Sequence, residues 1–246
     1  MAVRDLTSER LFVSGDLAAG GRVTLGEQQA HYLLNVLRMQ AGAAVLVFNG
    51  RDGEWLGELA DVKKRSATLV ITSQIRAQSA GSDIDYVFAP LKRSRLDYMV
   101  QKAVELGVAR LRPVMTHRTI AERINLDRMR ANVIEAAEQC GVLRVPDVEE
   151  PVTFAKLLAG WDSARRLVFC DEAADQTNPV HVLAGLAPGP LAVLIGPEGG
   201  FEARERATLL ELPFVTAISL GPRIMRADTA AVAALALVNA TLGDWS

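Results

Sequence analysis

Two short stretches near the C-terminal end hold the residue types that do chemistry. AVLIGPEGGF, at 192–201, carries four apolar residues into a turn of three glycines, one proline and one carboxylate. It lacks the Lys and Ser/Thr that follow the glycines of a phosphate loop, and it lacks the G-x-G-x-x-G spacing of a dinucleotide-binding turn. Its glycines let backbone N–H and C=O groups come close to a ligand, Pro197 restricts their freedom, and Glu198 adds one negative charge. Such a turn suits a neutral or cationic small molecule better than a phosphate. Taken alone, the stretch also reads as an ordinary strand-to-helix turn.

The second stretch is SLGPRIMRADTA, at 219–230. Gly221 and Pro222 again stiffen the chain at a strand end, Arg226 stands just before a helix, and Asp228 or Thr229 is placed to cap it. Arg226 has two readings, a salt bridge to Asp228 or a guanidinium that holds a substrate oxygen or phosphate by two parallel hydrogen bonds. In an open α/β sheet, ligands bind beyond the carboxyl ends of the strands. Two stiff loops at neighbouring strand ends would therefore form one pocket.

The elements that must position these loops follow from periodicity. From residue 84 onward strands alternate with helices. IDYVFAPL reads as a buried strand, followed by a helix that Ser94 caps, with Asp97 three residues on, and that Gly107 stops. ARLRPVMT, RLVFCDE, LAVLI and FVTAISL read as strands, and LDRMRANVIEAAEQ, EARERATLLEL and TAAVAALALVNATL as helices. This alternation predicts an α/β fold with a mostly parallel sheet covered on both faces. Residues 1–73 differ. AVLVFN, EWLGELA and ATLVITS, separated by polar turns, read as a three-stranded meander, and EQQAHYLLNVLR (27–38) as an amphipathic helix. QIRAQSAGSD, at 74–83, has no apolar periodicity and reads as the linker between a domain over 1–73 and one over 84–246.

Composition excludes several classes. Of 246 residues, 50% are hydrophobic and 23% charged, the balance of a soluble globular protein. The apolar run AAVAALALV is far shorter than the ~20 residues that span a bilayer. The N-terminus MAVRDLTSER has no apolar core of a secretory signal, so a cytoplasmic location is expected. Cys140 and Cys170 are isolated, with no zinc or disulfide spacing, and read as small core residues. His31, His117 and His181 are scattered and suggest neither a triad nor a metal site. The net charge of −2 conceals an uneven distribution: residues 92–130 hold ten Lys/Arg against four acids, a local +6 that leaves −8 elsewhere. A local excess of this kind can neutralise several phosphates, or it can be a solvated helical face.

Taken together, VLIGPEGGF and SLGPRIMRADTA resemble the ribosomal RNA small subunit methyltransferase E family. HYLLNVLR, FNGRDGEW, LKRSRLDYMVQKAVELGV, PVMTHRT and EAAEQCG agree with it, so the resemblance covers nearly the whole chain. It implies methylation of uridine N3 in 16S rRNA with S-adenosylmethionine as donor. It also implies a SPOUT-type α/β domain whose C-terminal segment forms a trefoil knot, a PUA-like β-barrel that binds RNA, and a homodimer without a metal. This chain departs from the family pattern at Asp228, where Glu is usual, and at Val142, where an Arg is usual, with Arg144 two positions later.

On this resemblance, Leu194, Ile195, Gly196, Glu198, Gly199, Gly200, Leu220, Gly221, Ile224 and Met225 are expected to line the donor pocket. Arg226 is expected to stabilise the uracil anion, and Asp228 either accepts the N3 proton or caps the helix. Arg10, Arg38, Lys92, Arg93, Arg95, Lys102, Arg118 and Arg123 are the expected RNA contacts, although a helical ion pair with Glu105 explains Lys102 equally well. A nicotinamide-dependent oxidoreductase would need the missing glycine fingerprint. A non-catalytic RNA-binding protein would need the basic face but not the two stiff loops.

Overall fold

The computed structural model describes residues 9–121, 123–175 and 178–245. The N-terminal stretch judged not to be a secretory signal lies, through residue 8, outside the described residues, as does Glu122 of the basic segment. The chain divides into two compact units, one of residues 1–80 with 137–145 and one of residues 81–136 with 146–246.

In the first unit β1 (Arg10–Phe12), β2 (Arg22–Thr24), β3 (Ala44–Phe48), β4 (Glu54–Lys63) and β5 (Ser66–Arg76) form one sheet in the order β1-β3-β4-β5-β2. The β3–β4–β5 meander is antiparallel, as its alternation predicts, while β1 runs parallel to β3. Val45, Val47, Leu59, Leu69 and Ile71 turn one face inward, against Ala30 and Leu33. The predicted helix over 27–38 is regular only as α1 (Glu27–His31); it continues as a π-helical stretch, Tyr32–Val36, and ends where Arg38 takes a positive φ of 57°. β5 runs to Arg76, three residues into the stretch read as linker.

The segment 137–145 is bound to this unit by cations. Glu54, nearly inaccessible on β4, accepts hydrogen bonds from Arg10 Nε (2.6 Å) and Arg76 Nε (2.7 Å). Arg10 then donates to the carbonyls of Ala137, Glu138 and Val142, and Arg76 to that of Gly141. Carbonyls of this segment are thus capped by guanidinium groups.

The second unit has β6 (Ile84–Phe88), α2 (Arg93–Glu105), β7 (Arg110–Met115), α3 (Leu126–Cys140, its last turn in the first unit), β8 (Asp147–Val148), β9 (Val152–Thr153) and α4 (Phe154–Ala159). β10 (Arg166–Cys170), α5 (Pro179–Ala184), β11 (Leu191–Ile195), α6 (Ala203–Leu210), β12 (Val215–Ile218) and α7 (Ala227–Leu242) complete it. The sheet order is β12-β10-β11-β6-β7-β8, with β9 also on β7 and every pairing parallel, as the strand–helix alternation predicts. α4 and α6 cover one face, where Leu157 and Leu209 meet Phe169, Ala192 and Leu194. On the other, the Tyr86 hydroxyl reaches Met99 of α2, and α7 packs against β11, α2 and α5. The short elements α4, α5, β8 and β9 are too brief to show periodicity. Ser94 is not the cap of α2; Lys92 is the residue before its first turn.

Charge is concentrated at the amino edge of this sheet. Asp85 is fully buried and accepts from Arg110 Nε (2.8 Å) and Arg112 Nη1 (3.2 Å), while Arg165, fixed on Asp83, also approaches it. Two cations of the basic segment are therefore structural. No helix of the described residues is long and apolar enough to cross a membrane.

Candidate active site

At the carboxyl edge of the same sheet the two stiff loops meet. A pocket of about 320 Å³ is lined by Ile195, Gly196, Pro197 and Glu198 from the loop after β11, and by Ile224, Met225 and Arg226 from the segment after β12. Their strands are not neighbours, contrary to expectation. β10 lies between them, and its end supplies Cys170 and Glu172 to the wall. The missed signal was the end of RLVFCDE, a buried strand closing on two acids.

Those acids have separate tasks. Asp171 is buried, accepts from Arg206 Nε (2.9 Å) and from the Ala173 amide (3.1 Å), and so fixes the turn. Glu172, next to it, is exposed and lines the pocket. Its carboxylate lies so close to Gly200 that a Cβ there would come within 2.7 Å of Oε1, and Gly200 also has φ +69°. Gly196 is required by packing, because a Cβ would come 2.6 Å from the Phe201 ring. These glycines answer first to Glu172 and Phe201, a closer constraint than the approach of a ligand. Gly221, at φ +106°, has open space around it, and Gly199 would accept a Cβ at 3.6 Å from Arg118.

Of the other residues expected to line the pocket, Leu194 is fully buried in the core beneath it. Gly199, Gly200, Leu220 and Gly221 flank the lining residues, and Ile224 is 92% exposed. Arg226 is the residue before the first turn of α7, with its side chain exposed to the pocket. Asp228 is not the helix cap. It lies in the first turn, with its carboxylate on the Thr229 amide at 2.9 Å, and the alternative salt bridge to Arg226 does not form among the described residues. Burial pushes the Cys170 thiol up to about 12, so it is protonated at neutral pH and no nucleophile. Burial, with smaller contributions from Cys170 and Asp228, likewise raises the Tyr86 hydroxyl well above its ordinary value.

The Gly-Pro-Glu-Gly-Gly loop is held by two residues expected to face RNA, of which Arg95 also lines the pocket. Arg95, on α2, forms an ion pair with Glu198, and Arg118 Nη1 donates to the Gly199 carbonyl at 2.7 Å. The His117 amide donates to Glu205 Oε1 at 2.9 Å, while Glu205 closes a capping box with Glu202 at the start of α6. Lys102 makes the alternative ion pair, with Glu105 at 2.6 Å. Arg128 is bound to Asp97, and Arg130 to Asp127. Arg10 is the clearest departure from expectation: its donors are used inside the first unit, so it is not offered to a ligand. Arg38, Lys92, Arg93 and Arg123 are exposed, without an ion pair to a described residue. Arg144 donates to the Ala80 carbonyl at 3.0 Å, inside the first unit.

Residues 78–239 match the family of RNA methyltransferase domains, and residues 25–72 that of RNA methyltransferase PUA domains. A ribosomal RNA small subunit methyltransferase E of Synechocystis is 31% identical, over 95% of this chain and 78% of its own length. That of Rickettsia conorii is 28% identical over 94% of both chains. The crystal structure of ribosomal RNA small subunit methyltransferase E from Neisseria gonorrhoeae, bound to S-adenosyl methionine, superposes with a TM-score of 0.83 at 27% identity, over 97% of this chain and all of that one.

Proposed function

The chain belongs to the ribosomal RNA small subunit methyltransferase E family, and we propose that the pocket between its two stiff loops takes S-adenosylmethionine and serves methylation of uridine N3 in 16S rRNA. One observation carries the reading: the loops after β11 and β12 line a single pocket that holds two carboxylates, Glu172 and Glu198, and two guanidinium groups, Arg95 paired with Glu198 and the exposed Arg226. Pocket size and the two carboxylates suit the donor. S-adenosylmethionine, when bound, supplies an electrophilic methyl group on a cationic sulfonium.

The chain supplies position and charge. Glu172 and Glu198 give the pocket the negative sites that suit a cation, while Ile195 and Met225 give it apolar walls. Uracil N3 must lose its imide proton, leaving charge on O2 and O4. Arg226 stabilises that charge, the role preorganised donors play at a developing oxyanion. Asp228, held on the Thr229 amide in the first turn, stabilises the positive end of α7; as proton acceptor it would first have to leave that contact. Aligning two bound reactants accounts for the largest part of the rate, about 7–11 kcal/mol in the best cases.

The remaining parts follow the family. The PUA-like unit and the exposed cations Arg38, Lys92, Arg93 and Arg123 contact RNA, the C-terminal segment threads the knot of a SPOUT domain, and the protein works as a homodimer in the cytoplasm. The test has two arms. Calorimetry is expected to show S-adenosylmethionine binding to the isolated protein, and mass mapping of rRNA from cells lacking the protein is expected to lose one methyluridine. An unchanged map would end the claim for the target, and no heat with the donor would leave an RNA-binding protein without catalysis.

A further inference from the structure

Arg95 and Glu198 come from opposite halves of the expected chemistry, one from the RNA side and one from the donor side, yet they form an ion pair inside the pocket lining. Their side chains are 41% and 36% exposed, so solvent and polyanions reach the pair. With Arg95 seated, the pocket's charged residues are Arg95, Arg226, Glu172 and Glu198, and they balance. With Arg95 withdrawn, the balance becomes −1. A second anchor keeps the loop in place without it, because Arg118 holds the Gly199 carbonyl independently of Arg95.

Resting on the reading of the pocket as a donor site, we infer that Arg95 is a specificity-determining residue that masks Glu198 until RNA arrives. Phosphate groups and Glu198 compete for the same guanidinium. Arg95 stands on the first turn of α2, beside the exposed Lys92 and Arg93, which form no ion pair with a described residue, so a strand drawn to those two cations meets Arg95 next. RNA that takes Arg95 leaves Glu198 as a free carboxylate facing the pocket. A sulfonium then gains an attraction that the neutral thioether of the demethylated product does not. RNA therefore favours the charged donor over the spent one, and by reciprocity the charged donor favours RNA. Because both partners are part-exposed and screened, the effect is roughly two- to fivefold in affinity, the upper range for such pairs.

The experiment is calorimetry of S-adenosylmethionine and S-adenosylhomocysteine with the full chain, with and without a short uridine-containing RNA oligonucleotide at low salt. In the unaltered protein, RNA is expected to tighten S-adenosylmethionine roughly two- to fivefold and to leave S-adenosylhomocysteine within about 1.5-fold. Arg95→Ala is expected to show that preference without RNA and gain little on adding it. Glu198→Gln is expected to lose the preference in every state, and Arg95→Lys to keep the RNA response. Circular dichroism melts check that each variant folds. An Arg95→Ala variant that folds yet has the unaltered ratio between the two ligands overturns the inference. If neither ligand binds the unaltered protein, the donor-site reading itself has failed.

Discussion

Arg118 Nη1 donates a 2.7 Å hydrogen bond to the carbonyl oxygen of Gly199, tying the segment after β7 to the loop after β11. A residue that sequence places among RNA contacts thereby holds the loop whose residues Ile195–Glu198 line the pocket proposed for the donor. The bond is charged and exposed, worth about 1 kcal/mol, or roughly fivefold in an equilibrium that depends on the loop. Arg118→Ala is expected to weaken S-adenosylmethionine binding by about that factor with the melting temperature nearly unchanged. Equal affinity in the variant, measured by calorimetry, would show that the loop holds its shape without Arg118.

The glycines of the loop should respond unequally to substitution. Gly196→Ala puts a methyl group 2.6 Å from the Phe201 ring, which also packs edge-on against Phe169 at 5.2 Å between centroids, so the ring has little room to move. Overpacking of this kind costs about 1–3 kcal/mol. Gly199→Ala meets only Arg118, at an ordinary 3.6 Å. Urea unfolding is expected to separate the two variants by more than 1 kcal/mol. Equal midpoints would contradict the packing argument.

What was legible in the sequence was whatever a single segment determines. The buried runs of β6, β10 and β11 and the alternation with helices announced a parallel sheet, and the two proline-glycine turns announced a pocket. What was not legible depends on strand order. β10 sits between β11 and β12, so Cys170 and Glu172 enter the site, and no local pattern in RLVFCDE foretells its neighbours. Arginine was the least legible residue. Arg10, Arg110 and Arg112 lie on strands and carry no mark distinguishing an internal counter-ion from a phosphate contact; Glu54 and Asp85, 44, 25 and 27 positions away, make the difference.

Arg226 and Asp228 should separate chemistry from helix stability. Arg226→Ala is expected to lower turnover about 10²- to 10³-fold, as loss of an oxyanion donor does, with donor affinity changed far less. Arg226→Lys restores charge without the planar fork and should recover little. Asp228→Asn removes a first-turn acid that interacts with the helix dipole, costing about 0.3–1 kcal/mol in stability and leaving turnover within a few-fold. A drop of about 10²-fold or more, with the acidic limb of the pH–rate profile altered, would instead make Asp228 the proton acceptor.

Glu54 should give the first unit a distinct acid sensitivity. Burial alone would push its carboxyl up, but hydrogen bonds and charge from Arg76 and Arg10 outweigh that and hold it below the usual carboxylate range. A carboxyl depressed on folding stabilises the protein fully above its unfolded value, about 4.3, and the contribution disappears as pH falls through the lower folded value. Glu54→Gln leaves Arg10, 10% exposed, without its counter-charge, and unfolding at pH 7 is expected to cost about 2–4 kcal/mol less; Arg76, more open to water at 28%, limits the loss. As pH falls through the depressed folded value the unaltered protein protonates Glu54 itself, and the two stability curves should converge. A gap that stayed constant as the pH of urea titrations was lowered from 7 until the protein unfolds in acid would mean that the carboxylate's charge is not what binds Arg10, Arg76 and, through them, the carbonyls of 137–142.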